Sequence, residues 1–112
     1  MTKIRFFAEN GKILLIADGH ASEGHKEDGN IICAAESMLI QTIAKNVIEA
    51  DDEGTAKNIQ VDLLDGHAII ACDTSDIDLI AAVKGIAKGF ELLSECYPNI
   101  ISYNRSQKVS KQ

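Results

Sequence analysis

Read as a pattern of apolar and polar positions, the chain runs through strand, strand, helix twice over. Residues 3–8 are rich in β-formers, Asn10-Gly11 is a favoured pair for a tight hairpin turn, and residues 12–18 supply the return strand. Residues 19–29 are polar and carry three glycines, which reads as a loop. Ile32, Ala35, Leu39, Ile43 and Val47 then recur at helical spacing and predict a helix over about 31–50, with Asn30 as its N-cap. Asp51-Asp52-Glu53-Gly54 ends it in a solvated turn. Residues 58–64 alternate, with Ile59, Val61 and Leu63 facing one way, and Asp65-Gly66 marks a second hairpin whose return strand is 67–73. Thr74 or Ser75 is expected to cap a second helix, with Asp76 and Asp78 in its first turn, where carboxylates suit the helix dipole. Leu79, Val83, Ile86, Phe90, Leu93 and Tyr97 form its buried stripe, and Pro98 closes it. Ala81, Gly85 and Gly89 make a second, small stripe. A helix-interior glycine costs about 1 kcal/mol relative to alanine, so close approach of the neighbouring helix is expected there.

This order implies a two-layer α+β fold, β-β-α-β-β-α, with a four-stranded sheet and two helices on one face. Residues 1–101 are read as one domain and 102–112 as a polar, mobile tail. A sheet covered on one side leaves a face or an edge open, so a homodimer is expected.

Composition narrows the function. Apolar residues make up 46% and aromatic residues only 4%, so the core is aliphatic and a stacking platform for single-stranded nucleic acid is not expected. All 17 acidic residues lie at or before Glu95, and the net charge is −6, which argues against direct nucleic-acid binding. An acidic body favours encounter with a basic partner, though the same charge also serves plain solubility. The start of the chain lacks the long apolar stretch of a signal peptide, and no apolar run is read as membrane-spanning. Three cysteines without regular spacing do not make a disulfide framework, so a reduced, cytoplasmic setting is expected.

The candidate chemistry centres on Cys33 and His20. With Asn30 as N-cap, Cys33 would stand in the first helical turn, where free amides and the dipole favour a thiolate. Those amides would also cradle an oxyanion, while His20, at a strand end, would take and return the proton. The glycine-bearing segment between them would act as a lid. Each residue also has a blander reading, Cys33 as a packed apolar side chain and His20 as a surface residue. His20, His25 and Cys33 (His-x4-His-x7-Cys) could supply three zinc ligands, but no second cluster supports a metal, and no cofactor is expected. Cys72, in mid-strand, and Cys96, near a helix end, are read as structural. His67 repeats the Asp-Gly-His-Ala string of residues 18–21 but sits in a hairpin and is read as a poor candidate base.

Gly19-His20-Ala21, a glycine-containing segment, and Asn30-Ile31-Ile32-Cys33-Ala34-Ala35-Glu36-Ser37 resemble the signature of the ribosomal-processing cysteine proteases, the Prp (YsxB-like) family. In that family Gly-His-Ala precedes Asp-Ile-Val-Cys-Ala, with a serine four residues after the cysteine. The resemblance extends in element order through about Tyr97. It implies a cysteine-protease domain with His20 as base and Cys33 as nucleophile, and with Gly19, Ala21, Asn30 and Ser37 shaping the site. Two positions depart from the pattern: Asn30 stands where the family has Asp, and Glu36 where it has a small or apolar residue. The family further implies a homodimer needing no metal or cofactor. Its substrate is large-subunit ribosomal protein number twenty-seven, a basic protein from which a short N-terminal extension is removed. A non-catalytic assembly factor that binds a basic ribosomal tail is the alternative.

Overall fold

The computed structural model describes residues 1–21 and 26–105. The elements are β1 (Thr2–Glu9), β2 (Lys12–Asp18), α1 (Lys26–Asp52), β3 (Lys57–Leu64), β4 (His67–Asp73), α2 (Ile77–Cys96) and β5 (Ile101–Arg105). The sheet therefore has five strands, in the order β3-β4-β2-β1-β5, and not the four the pattern predicts. The first four strands pair antiparallel to their neighbours, and β5 lies parallel to β1 with Thr2 opposite Ile101 and Ile4 opposite Tyr103. Residues 102–105, read from sequence as mobile tail, belong to this strand, and 106–112 lie outside the described residues. The reason is visible in the side chains. Ile101 is buried, and the ring of Tyr103 stacks on Phe90 of α2 with centroids 6.1 Å apart.

Cross-strand partners share a face, so the register shows which side the helices cover. Ile4, Phe6 and Ala8 pair with Ala17, Leu15 and Ile13, and these last with Ala68, Ile70 and Cys72; all nine are buried. Ile32, Ile43 and Val47 of α1 and Leu79, Val83, Ala87 and Phe90 of α2 complete the same core. The other face carries Phe7 against Leu14, Leu14 against Ala71, and Ile16 against Ile69, all left half-buried or exposed.

The helices meet where the small stripe predicts, at one glycine only. A side chain on Gly89 would overlap Leu39 of α1 at 2.8 Å, whereas Gly85 has open space beside it. The cap of α2 differs from expectation. Asp76 is the N-cap, its carboxylate accepting from the amides of Asp78 (2.9 Å) and Leu79 (3.5 Å). Thr74 instead holds the approach, accepting from the Asp76 amide at 3.0 Å and donating to the Thr55 carbonyl at 2.7 Å. Contrary to the sequence reading, the Gly29–Asp52 part of α1 is long and apolar enough by length and composition to cross a membrane. Core helices meet the same criterion, and the inner face of α1 packs on the sheet and on α2.

Candidate functional site

The Gly-His-Ala segment follows directly from β2, and each residue has a separate steric job. Gly19 has φ +97°, and a β-carbon there would collide with the Met1 carbonyl oxygen. Ala21 is fully buried, so only a small apolar residue suits its place. Between these two anchors His20 is half-buried, and its carbonyl accepts from the Met1 amino group at 3.2 Å. The imidazole lies against the β3–β4 turn, its Nε2 only 2.6 Å from where a β-carbon on Gly66 would stand. The amide of Gly19 donates to the Gly66 carbonyl at 2.9 Å, tying the two segments together.

Cys33 stands on α1, but not where the sequence places it. The helix starts at Lys26, so Cys33 is its eighth residue and Asn30 its fifth. Asn30 is therefore no N-cap, and the backbone amides around Cys33 lie within the helix, away from the free first-turn groups. The dipole's influence fades beyond the first turn, and the free first-turn amides that the sequence reading set beside Cys33 belong instead to the turn that starts at Lys26. The sequence misleads because Gly29 looks like a loop residue, whereas here it is a buried residue inside the helix. Gly24 and His25, and with His25 the three-ligand zinc arrangement, lie outside the described residues. Among the described residues no group of three or more His, Cys, Asp or Glu side chains is arranged to hold a metal ion.

At 100° per residue, Asn30, Cys33 and Ser37 fall within about 60° of arc on one side of α1. Cys33 is half-buried at the border of the core face, with Asn30 and Ser37 exposed beside it. The structure thus brings the candidate nucleophile and two predicted site-shaping residues onto one strip. It does not engage Cys33 with His20: no hydrogen bond joins that thiol to that imidazole among the described residues, and the ring rests on Gly66 instead.

Three features of this region were not expected from sequence. Glu36, one turn beyond Cys33, is 4% exposed. Burial pushes its carboxyl up from its ordinary value, with Thr2 and the Met1 amino group opposing. The Thr2 hydroxyl faces it without forming a hydrogen bond, so Thr2 Oγ1 and Glu36 Oε2 are both buried and unpaired. Second, His67 Nδ1 pairs with Asp18 Oδ1 across β4 and β2, where the two residues are register partners. Third, Gly66 supplies the surface beneath His20. The repeated Asp-Gly-His-Ala string was the available signal, but only the β2–β4 register shows that the two copies meet.

Cys72 is buried in β4, where burial and neighbouring Asp73 push its thiol up, and Cys96 is the exposed last residue of α2. A wide cleft, about 580 Å³, is lined by Gly11, Thr55, Asp73 and Asp76. It lies at the start of β2, whereas His20 follows the end of that strand, so it is not the candidate site.

A family model described as cysteine protease Prp matches residues 1–102. The chain belongs to the cysteine protease Prp family. Solved structures agree in fold. The Staphylococcus aureus ribosomal processing protease Prp, in complex with a covalently linked product peptide, is 22% identical with a TM-score of 0.72, covering 95% of this chain and 100% of that one. The same S. aureus protease with a substrate peptide gives 19% identity and a TM-score of 0.71, over 95% and 100% of the two chains. SMU.848 from Streptococcus mutans is 22% identical with a TM-score of 0.71, over 96% and 99%. No curated protein matches the chain in sequence.

Proposed function

We propose that this member of the Prp family is a cysteine endopeptidase that removes the N-terminal extension of a large-subunit ribosomal protein. The observation that carries the reading is the placement of a half-buried Cys33, flanked by Asn30 and Ser37, on α1 of a Prp-family chain whose Gly19-His20-Ala21 segment is sterically fixed at the end of β2. In this reading the Cys33 sulfur attacks the scissile carbonyl, and His20 accepts the thiol proton and returns it to the leaving amine. Water then hydrolyses the thioester, with the same imidazole as base. His20 and Cys33 must come within hydrogen-bond reach to do so, with the imidazole still seated on the Gly66 turn. A hydrogen bond that forms only with substrate is common in such sites.

The acidic surface suits a basic ribosomal protein. The half-covered apolar strip Phe7–Leu14–Ile16–Ile69 on the uncovered sheet face suits a second copy of the chain, so a cytoplasmic homodimer completes the proposal. No metal, cofactor, nucleic acid or membrane enters the reaction as written. The test is incubation with a peptide spanning the extension of the ribosomal protein, read by mass spectrometry. Two fragments are expected from the unmodified protein and none from Cys33→Ala, which should still bind the peptide. Good binding with no cleavage by the unmodified protein would instead make it a non-catalytic assembly factor. Light scattering checks the dimer.

A further inference from the structure

We propose that the β3–β4 turn belongs to the active site, with Gly66 as the positioning residue for the His20 imidazole; this rests on the reading of His20 as the base. Among the described residues no carboxylate hydrogen-bonds the His20 ring, and Asn30, which stands where the family has an acid, is exposed on α1. What the ring does have is a seat. Three of its atoms, Nε2, Cε1 and Cδ2, lie 2.6, 3.2 and 3.4 Å from the place where a β-carbon on residue 66 would be. Any side chain there would share the ring's space. The ring, at the end of a side chain with two torsions, would yield more easily than the backbone.

The seat is fastened to the segment that carries the ring. The Gly19 amide donates to the Gly66 carbonyl at 2.9 Å, one residue before His20. One residue past Gly66, the His67 ring pairs with Asp18, the last residue of β2. The two Asp-Gly-His-Ala strings thus clasp each other, with the histidine of each set against the other. The seat and the base therefore move as one unit, and the choice of residue at 66 sets where the base rests.

The test uses two matched substitutions. Gly11 and Gly66 are both hairpin glycines with positive φ, +79° and +74°. Asparagine tolerates that region better than other side-chain-bearing residues. At Gly11 a β-carbon meets nothing nearer than 3.8 Å, so Gly11→Asn carries the backbone effect alone. Gly66→Asn adds the clash with the ring. The expected result is that Gly66→Asn shifts the NMR resonances of the His20 ring and lowers kcat at least tenfold with KM within twofold. Gly11→Asn should leave the ring and both constants unchanged within twofold. Unmoved His20 resonances in Gly66→Asn, or moved resonances with an unchanged kcat, would overturn the proposal. If the unmodified protein cleaves no peptide, the protease reading fails and the positioning role fails with it, while the His20 resonances still report separately whether the seat exists.

Discussion

The chain contains Asp-Gly-His-Ala twice, and the two copies have different duties. In residues 18–21 the strand ends, the glycine passes tightly over Met1, and the histidine stands at a junction leading toward α1. In residues 65–68 the Asp-Gly pair is a hairpin turn and the histidine starts β4, facing Asp18. Both alanines are buried, at 0% and 6% exposure, so the shared string buys the same local anchoring in both places. What differs is the continuation. Residue 67 is followed by a strand whose ladder holds its backbone on both sides, in pairs with β2 and β3, whereas residue 20 is released from the ladder. An identical tetrapeptide becomes a structural clasp or a candidate catalytic segment according to what it leads into.

The largest expected effect tests that division directly. His20→Ala should lower peptide cleavage by about 10²–10⁴-fold, the usual worth of a general base. His67→Ala should stay within about tenfold, because its ring acts only through Asp18 and the seat. Steady-state kinetics on the ribosomal peptide checks both. Equal losses would erase the distinction between the copies, and a larger loss for His67→Ala would reverse it.

A second contrast sharpens the account of Gly19. Gly19→Ala forces both positive φ and overlap with the backbone of Met1, which cannot rotate away as a side chain can. The two penalties together are about 2–5 kcal/mol. Gly54→Ala, at φ +81° with nothing within 4 Å, carries the conformational penalty alone, about 1 kcal/mol. For a domain of this size each kcal/mol is roughly 4–8 °C in Tm, so calorimetry should separate the two variants clearly. Similar Tm losses would show that chain segment 1–2 moves aside easily and does not fix the Gly-His-Ala turn.

The hairpins and the alternating strands were legible because their signals are local: Asn-Gly and Asp-Gly turns and the period-2 alternation of apolar and polar residues in 58–64. The buried stripe of α2 was legible for the same reason, at Leu79, Val83 and Phe90. The fifth strand was missed although Ile101 and Tyr103 alternate with Ser102 and Asn104. Five residues at the start of a polar tail make a weak pattern, and the strand exists because β1 offers a parallel partner and Phe90 a stacking surface. The start of α1 was misplaced by a glycine that tertiary packing accepts inside a helix. That one error moved Cys33 from the first turn to the third and removed the dipole argument, while the choice of Cys33 and His20 rested on motif and family. Gly66 could not be read at all, since its role depends on a contact 46 positions away in the chain.

The smallest effects concern two carboxyls at opposite ends of β2, and they should have opposite signs. Glu36 is buried with an unpaired oxygen, and burial raises its carboxyl above the ordinary 4.5. A raised folded-state value means the charged form is penalised in the native protein: the stabilising proton is bound below pH 4.5 and lost as pH rises through the folded value. Glu36→Gln removes that charge, so its Tm advantage over the unmodified protein should be near zero at pH 4, grow through the weakly acidic range, and level off above it. Asp73 is exposed, and its hydrogen bonds to Lys12 and Asn58, both 2.7 Å, hold its carboxyl below the ordinary 3.8. Its contribution is complete above 3.8 and lost as pH falls through the lower folded value, so the deficit of Asp73→Asn should persist at neutral pH and close only in strong acid. Thermal scans of both variants from pH 3 to 8 give the two curves. A Glu36→Gln advantage that does not change with pH would mean that the carboxyl is already paired or hydrated in solution, and that the region beside Cys33 is more open than the packing of Thr2 against it implies.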